Sequence, residues 1–346
     1  MKKCFRLAKK GLGKVTPNPL VGCVIVKNNQ IISKAYHQEF GGPHAEFAAI
    51  QKCPDTKGAT LYVNLEPCGT FGKNPPCAHE IIKAQISEVV FSIPDPNPIN
   101  KGVGEKILLN NKIKVRKGLL AQEAEKLNRF FINFHQKKRP YICVKSAISL
   151  DGKIADNKGD SKWISNEKSR LEVQKLRKEF DAILVGRKTC ELDNPRLSLR
   201  IQKAKDPLKI ILDPEMKISP DAKLFSGSQV IWVTKFAKKK LSTFSKKADI
   251  EVLSLGNDFK LKKLLKKLHE RKILSILVEG GGETNARFFE ENLVDELVIF
   301  LAPKLIGGKN SPSMFDGTGF NLKKSLNLND LELKKIGSDI MVRGFL

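Results

Sequence analysis

His44, Glu46, Cys68 and Cys77 are the residues of this 346-residue chain best suited to act together chemically. One imidazole and two thiolates supply three of the four ligands that a tetrahedral zinc ion takes, and an open fourth position marks a catalytic rather than a structural metal. The water such a metal activates has its pKa lowered to about 7, and a carboxylate two residues from the histidine can carry its protons. The set is suited to hydrolysis in which water attacks a carbon, Glu46 shuttles protons, and an amine leaves as ammonia. A closed structural site would need a fourth protein ligand. The remaining histidines, His37, His79, His135 and His269, have no partner at metal spacing and are read as surface or core residues.

Strands and helices must alternate to bring these residues together. Residues 21–26 form a continuous apolar run, Asn28-Asn29 gives a turn and 30–33 return, which reads as a hairpin. Gly41-Gly42-Pro43 leads into a helix expected over 45–52, with Phe47, Ala48 and Ile50 apolar. Leu61, Val63 and Leu65 alternate with Tyr62, Asn64 and Glu66 as a half-buried strand. A second helix is expected from near Cys77, carrying Ile81, Ile82 and Ile86, followed by a strand over 88–93 that ends at Asp95-Pro96-Asn97-Pro98. This βααβ-type pattern predicts a mixed sheet flanked by helices, an α/β fold. It also places His44 and Cys77 at helix N-termini, where the dipole and free amides favour thiolate over thiol. Residues 119–134 read as one amphipathic helix closed by Lys137-Lys138-Arg139-Pro140. A boundary there predicts two domains, 1–139 and 140–346, each long enough for its own core.

The second half carries weaker signals in sequence order. An apolar strand from Tyr141 runs through Lys145 to an Asp151-Gly152 turn, where a ligand or only a turn can sit. A strand over 275–279 runs into Gly280-Gly281-Gly282 and a helix expected to begin near Thr284. Bare glycine backbone there lets a phosphate approach the amides of a helix start, although a plain glycine turn fits the same residues. The pattern is not Gly-x-Gly-x-x-Gly, so no Rossmann fingerprint is present.

Composition narrows the setting. With 41% hydrophobic and 29% charged residues the chain is globular rather than disordered. No apolar stretch approaches the roughly 20 residues needed to span a bilayer. Residues 1–14 hold lysines but no apolar run, so no secretory signal is expected. Seven irregularly spaced cysteines suit a reduced cytosol better than a disulfide framework, and the cytoplasm is the expected compartment. The net charge of +25 could mark a nucleic-acid surface, attraction to phosphorylated small molecules, or general richness in lysine. The lysines are scattered, and the densest run (Lys238 to Lys240, Lys246, Lys247) has no interleaved aromatics of the kind single-strand binders use. Neither a nucleic-acid nor a membrane partner is expected.

The cysteines lie eight residues apart, in Glu66-Pro67-Cys68-Gly69-Thr70-Phe71-Gly72-Lys73-Asn74-Pro75-Pro76-Cys77, rather than the two of the commoner zinc-deaminase signature. With Thr16-Pro17-Asn18-Pro19, Val21-Gly22-Cys23-Val24, His44-Ala45-Glu46 and Asp95-Pro96-Asn97-Pro98, this long loop resembles the bifunctional riboflavin-biosynthesis deaminase–reductase family, over essentially the whole chain. The resemblance implies a cytidine-deaminase-like first domain. In it Asn18 and the loop before Cys77 hold a phosphoribosylated pyrimidine. The family's serine and histidine after the first cysteine are here Gly69 and Thr70, while Lys73 keeps a basic position.

The resemblance further implies a dihydrofolate-reductase-like second domain that uses NADPH. Ala147, Trp163, Thr189, Asp193, Gly281, Gly282, Glu283, Thr284, Asn285, Ala286 and Arg287 would line the cofactor site. Ser161, Arg177, Leu197, Arg200 and Glu279 would hold the substrate. The two arginines suit a ribose phosphate because guanidinium offers a forked pair of donors, although ordinary surface salt bridges would also explain them. Trp163 fits core packing equally well. A family aspartate is here Asn194, and Pro214 replaces a polar residue after Asp213, removing an amide donor. The implied reactions are deamination of the pyrimidine and reduction of its ribosyl chain to ribityl, in a protein that self-associates. Two rivals remain: a nucleic-acid or nucleoside deaminase with an accessory nucleotide-binding domain, and a non-catalytic nucleotide-binding regulator.

Overall fold

The computed structural model describes residues 1–72, 75–201, 205–227, 229–236 and 249–346. The lysine run near 240 and Lys73 lie outside the described residues. Two compact units, Met1–Arg139 and Pro140–Leu346, divide the chain.

In order, the first unit comprises α1 (Lys2–Ala8), β1 (Gly22–Lys27), β2 (Gln30–Tyr36), α2 (Ala45–Ile50), β3 (Thr60–Leu65) and α3 (Cys77–Lys83). It continues with β4 (Glu88–Ile93), α4 (Val103–Asn110), β5 (Lys114–Lys117), α5 (Ala121–Leu127) and α6 (Arg129–Lys137). Its mixed sheet runs β2-β1-β3-β4-β5, antiparallel from β2 to β3 and parallel from β3 to β5. Ile25, Leu61, Val63, Val89, Phe91, Ile81 and Leu108 form its solvent-free interior.

Four details depart from the sequence reading. Helix α1, hidden among lysines, buries Cys4, Phe5, Leu7 and Ala8. It lies so close to β1 that a Cβ at Gly22 would fall 2.2 Å from the Cys4 carbonyl oxygen. The alternation on β3 breaks at Asn64, which is fully buried because this strand is central to the sheet. Its side chain accepts from Gly22 N (2.7 Å) and donates to the Leu20 carbonyl (2.7 Å). Helix α3 stops before Ile86, because Gln85 turns to φ +49° and Ile86 N bonds back to the Ile81 carbonyl at 3.4 Å, a six-to-one closure that still buries Ile86. Residues 119–134 are two helices, not one. Asn128 between them accepts from Leu20 N (2.8 Å) and donates to the Leu20 carbonyl (3.1 Å).

The second unit contains β6 (Tyr141–Ser149), α7 (Glu167–Arg177), β7 (Ala182–Gly186), α8 (Arg187–Asp193), β8 (Leu208–Leu212), β9 (Val230–Thr234) and β10 (Ile250–Ser254). Then follow α9 (Leu261–Glu270), β11 (Ser275–Val278), α10 (Gly282–Glu290), β12 (Glu296–Ala302), β13 (Asn329–Ile336) and β14 (Asp339–Phe345). The sheet order is β10-β9-β8-β7-β11-β6-β12-β14-β13, parallel from β10 to β12 and antiparallel beyond. The parallel strands are covered on both faces and therefore read as unbroken apolar runs, such as 182–185. Helix α10 begins at Gly282, two residues before the expected start.

On α9, Leu261, Leu264, Leu265 and Leu268 repeat at helical spacing and are at most 1% exposed. Leu264→Ala is expected to destabilise this unit by about 2–5 kcal/mol. Chemical denaturation followed by circular dichroism would show an earlier transition; an unchanged midpoint would contradict the packing described.

Candidate active sites

In the first unit His44 is the residue before α2 and Cys77 opens α3, so both stand at helix starts, while Cys68 lies on the loop after β3. His44 Nδ1 lies 3.3 Å from Cys77 Sγ and 3.5 Å from Cys68 Sγ, and the three donor atoms fall within 4.8 Å of one another. Zinc–nitrogen and zinc–sulfur bonds of ordinary length, set at a tetrahedral angle, put such donors about 3.6 Å apart, so these three residues fit zinc. Cys77 N donates to Cys68 Sγ at 3.3 Å. The Cys77 thiol's hydrogen bond, with His44 alongside, holds Cys68 down to about 4, while Cys77 is pushed up as the pair shares one proton. A thiolate is what a metal requires. Among the described residues this is the one cluster of its kind.

Glu46, on the first turn of α2, is 4% exposed, and burial pushes its carboxyl up to about 7. A carboxyl that gains and loses its proton near neutrality suits a shuttle.

The surrounding loops are tightly determined. Glu66 is buried and accepts three backbone amides: Asp95 N (3.1 Å) and Gly102 N (3.0 Å) on Oε2, and Glu105 N (3.1 Å) on Oε1. It thereby ties the segment after β4 to the Cys68 loop. Gly69 belongs to this packing: a Cβ there would lie 2.6 Å from Val103 Cγ1. The family's serine at this position would clash with α4 as it stands. Thr70 donates its hydroxyl to Asn100 Oδ1 at 2.5 Å. Asn18 is half-buried, with its Nδ2 3.0 Å from His37 Nε2. His37 is buried, His135 packs edge-on to Phe131 with centroids 4.5 Å apart, and none of the four other histidines joins the ligand cluster.

In the second unit Thr189 follows the carboxyl end of β7, and Glu279, Gly281 and Gly282 follow that of β11, the end at which open α/β sheets bind ligands. Glu279, just past β11, takes a bidentate fork from Arg177 at the end of α7 (Nε–Oε1 2.7 Å, Nη2–Oε2 2.8 Å). Two residues expected to touch substrate separately thus form one ion pair, and only Arg177 Nη1 lies outside the fork, 3.5 Å from the Ser198 carbonyl. Lys145 on β6 approaches Glu279 at 3.9 Å. Burial alone would raise Glu279, but Arg177 and Lys145 outweigh it and hold the carboxyl at about 2. Burial lowers Lys145, and Glu279 only partly offsets this. Lys145 received no role from the sequence; a lysine inside an apolar strand was the available signal.

Ser161 donates to Asp193 Oδ1 at 2.8 Å, joining a residue expected at substrate to one expected at cofactor. Gly281 N donates to Thr189 Oγ1 at 3.1 Å. Trp163 is 58% exposed, which rules out the core-packing reading; the Arg170 guanidinium lies 4.5 Å over its ring. Arg200 is exposed, and among the described residues its side chain has no salt bridge, so the ordinary ion-pair explanation falls for it. Leu197 is buried with φ +55°, and Ala147 is half-buried on β6.

Along α10 the stretch divides. Gly281 is half-buried, whereas Gly282 is buried, with a Cβ there 2.4 Å from Asp316 Oδ2 and from the Ser313 carbonyl oxygen; the first amides of the helix have no intrahelical acceptor, which fits a phosphate of NADPH. Glu283 pairs with Lys188 at the surface (2.8 Å). Thr284 packs against Gly186, where a Cβ would come within 2.4 Å of its Oγ1. Asn285 and Ala286 are buried; Asn285 Nδ2 donates to the Met314 carbonyl (3.1 Å), and its Oδ1 has no hydrogen-bond partner. Arg287 donates to the Phe259 carbonyl at 2.9 Å.

Family models match both units of the chain. Residues 1–93 match the cytidine and deoxycytidylate deaminase zinc-binding region, and residues 140–342 match the RibD C-terminal domain. The riboflavin biosynthesis protein RibD of Bacillus amyloliquefaciens is 40% identical, covering 98% of this chain and 94% of its own. That of Aquifex aeolicus is 40% identical over 99% and 96% respectively. A solved Thermotoga maritima structure superposes with a TM-score of 0.91 at 38% identity, covering 100% of this chain and 97% of the other. It is described as a diaminohydroxyphosphoribosylaminopyrimidine deaminase/5-amino-6-(5-phosphoribosylamino)uracil reductase. The α/β architecture is therefore a cytidine-deaminase-like domain followed by a reductase domain of dihydrofolate-reductase-like fold.

Proposed function

Since the chain belongs to the RibD family of bifunctional riboflavin-biosynthesis enzymes, we propose that residues 1–139 form its deaminase domain and 140–346 its NADPH-dependent reductase domain. The first site would hydrolyse the 2-amino group of 2,5-diamino-6-(5-phosphoribosylamino)pyrimidin-4(3H)-one. The second would reduce the ribosyl chain of the product to ribityl. The observation that carries the reading is the tetrahedral-edge spacing of His44, Cys68 and Cys77 with Glu46 buried beside them.

His44, Cys68 and Cys77 would hold zinc, which would lower the pKa of a water to near neutrality. Glu46 would take one proton from that water and deliver it to the ring nitrogen, then take the second from the hydroxyl added to the carbon and pass it to the amine, so that ammonia leaves and a carbonyl remains. Asn18 and the loop before Cys77 hold the pyrimidine in place. In the second domain NADPH, when bound, would supply the hydride for C1′ of the ring-opened ribose. Gly281 and Gly282 receive a cofactor phosphate, with Thr189, Asp193, Trp163 and Ala147 around it. Ser161 and Leu197 border the substrate. With the Arg177 fork engaged by Glu279, Arg200 is the freer guanidinium for the ribose phosphate. Positive net charge favours capture of such anions.

We further assign the enzyme to the cytoplasm as a homo-oligomer without nucleic-acid or membrane partners. No helix among the described residues is long and apolar enough to cross a membrane. A nucleic-acid deaminase is not favoured, because it has no use for a reductase domain over 140–342.

Treatment with a chelator is expected to abolish ammonia release from the diaminopyrimidine phosphate while NADPH oxidation with pre-deaminated substrate continues. Restoring zinc should restore the first activity. Ammonia release that persists in metal-free protein would refute the site.

A further inference from the structure

His37, paired with Asn18 beside the metal ligands, is left unused by the proposed chemistry. The His37 ring stands edge-on to His44 with centroids 5.7 Å apart and is 3% exposed. Its Nδ1 lies 2.9 Å from the Pro43 carbonyl oxygen, and its Nε2 lies 3.0 Å from Asn18 Nδ2. A carbonyl oxygen can only accept, so Nδ1 carries the ring proton. Nε2 faces the Asn18 amide nitrogen, which can only donate, so it acts as the acceptor of that contact. Nε2 therefore offers a lone pair, and of the two branches of an asparagine amide only the NH2 can satisfy it.

The oxygen of Asn18 is then fixed on the opposite branch, and among the described residues it has no protein partner. The backbone on either side is held as well. Asn18 N donates to the Val15 carbonyl at 2.8 Å, and both polar groups of Leu20 are tied by Asn64 and Asn128. Rotation of the amide is the freedom that remains, and the histidine removes it.

We propose that His37 is a positioning residue that locks the Asn18 amide with its oxygen free for substrate, so that the deaminase selects a ring bearing an N–H donor at that edge. This rests on the reading that Asn18 contacts the pyrimidine. An aminopyrimidine carries such donors, whereas a ring presenting a lone pair there would leave two acceptors facing each other. Sites built on a fixed hydrogen-bonding group discriminate strongly against the wrong partner, because the group is then buried unpaired.

The test measures KM and kcat for ammonia release, zinc content and reductase activity in His37→Phe, Asn18→Ala, their combination, and His37→Phe with Asn18→Asp. Asn18→Ala is expected to raise KM about tenfold, the cost of one lost hydrogen bond. His37→Phe should raise it comparably with zinc and reductase activity unchanged, and the double variant should be no worse than Asn18→Ala alone. Aspartate has two equivalent oxygens, so Asn18→Asp should recover KM in the His37→Phe background. If Asn18→Ala has no effect, the substrate contact itself is wrong. If it has an effect but His37→Phe does not, the contact stands and the positioning role fails. Losses that multiply in the double variant, or a drop in zinc with His37→Phe, also overturn it.

Discussion

Glu46→Gln is expected to lower deaminase turnover by about 10²–10⁴-fold while leaving the reduction of pre-deaminated substrate intact. The amide keeps the shape of the side chain and remains in its buried place at the start of α2, but it cannot accept a proton. Zinc content should be unchanged, because the three donor atoms belong to other residues. The check is paired: ammonia release from the diaminopyrimidine phosphate, and NADPH oxidation with the deaminated product. Loss of both activities in a folded variant would contradict two independent sites.

Glu279→Gln should have the largest effect on the second unit. Arg177 and Lys145 would keep their charges in a half-closed environment with the carboxylate gone; their side chains are 15% and 16% exposed. Removing one partner of a buried ion pair costs about 3–5 kcal/mol, so an earlier unfolding transition should accompany loss of reductase activity. The pH dependence follows from the same group. Its folded value of about 2 lies below the ordinary 4.5, so its contribution is present in full above pH 4.5 and is lost as pH falls toward 2. The difference corresponds to about 3 kcal/mol. Denaturant titrations at pH 7 and pH 3 should show the gap between wild type and variant narrowing at the lower pH. A gap that stays constant would mean that the carboxylate is not held by its cationic neighbours.

What could be read from the sequence depended on how far apart the partners lie along the chain. The zinc ligands fall within short motifs, and the helix starts that carry His44 and Cys77 are announced by Gly-Gly-Pro and Pro-Pro immediately before them. Two parallel strands of the second unit, β6 and β11, are legible as apolar runs. The pairing of Arg177 with Glu279 is not, because 102 residues separate them and each looks on its own like a free contact. Asn128 reads as part of one long helix for a similar reason: its partner, Leu20, is 108 residues away, and nothing local shows that its side chain turns inward. Strict alternation puts Asn64 outside, a rule that fails on a strand with both faces covered. Helix α1 escaped notice because its four apolar positions are diluted by lysines.

The two asparagines that grip Leu20 bear on how the enzyme can be dissected. The recognisable zinc-binding region stops at residue 93, yet Asn128, on the hinge between α5 and α6, helps anchor the backbone two residues after Asn18. A fragment trimmed at the end of that region would keep every metal ligand but lose a clasp on its own pocket rim. The smallest excisable deaminase therefore extends through α6.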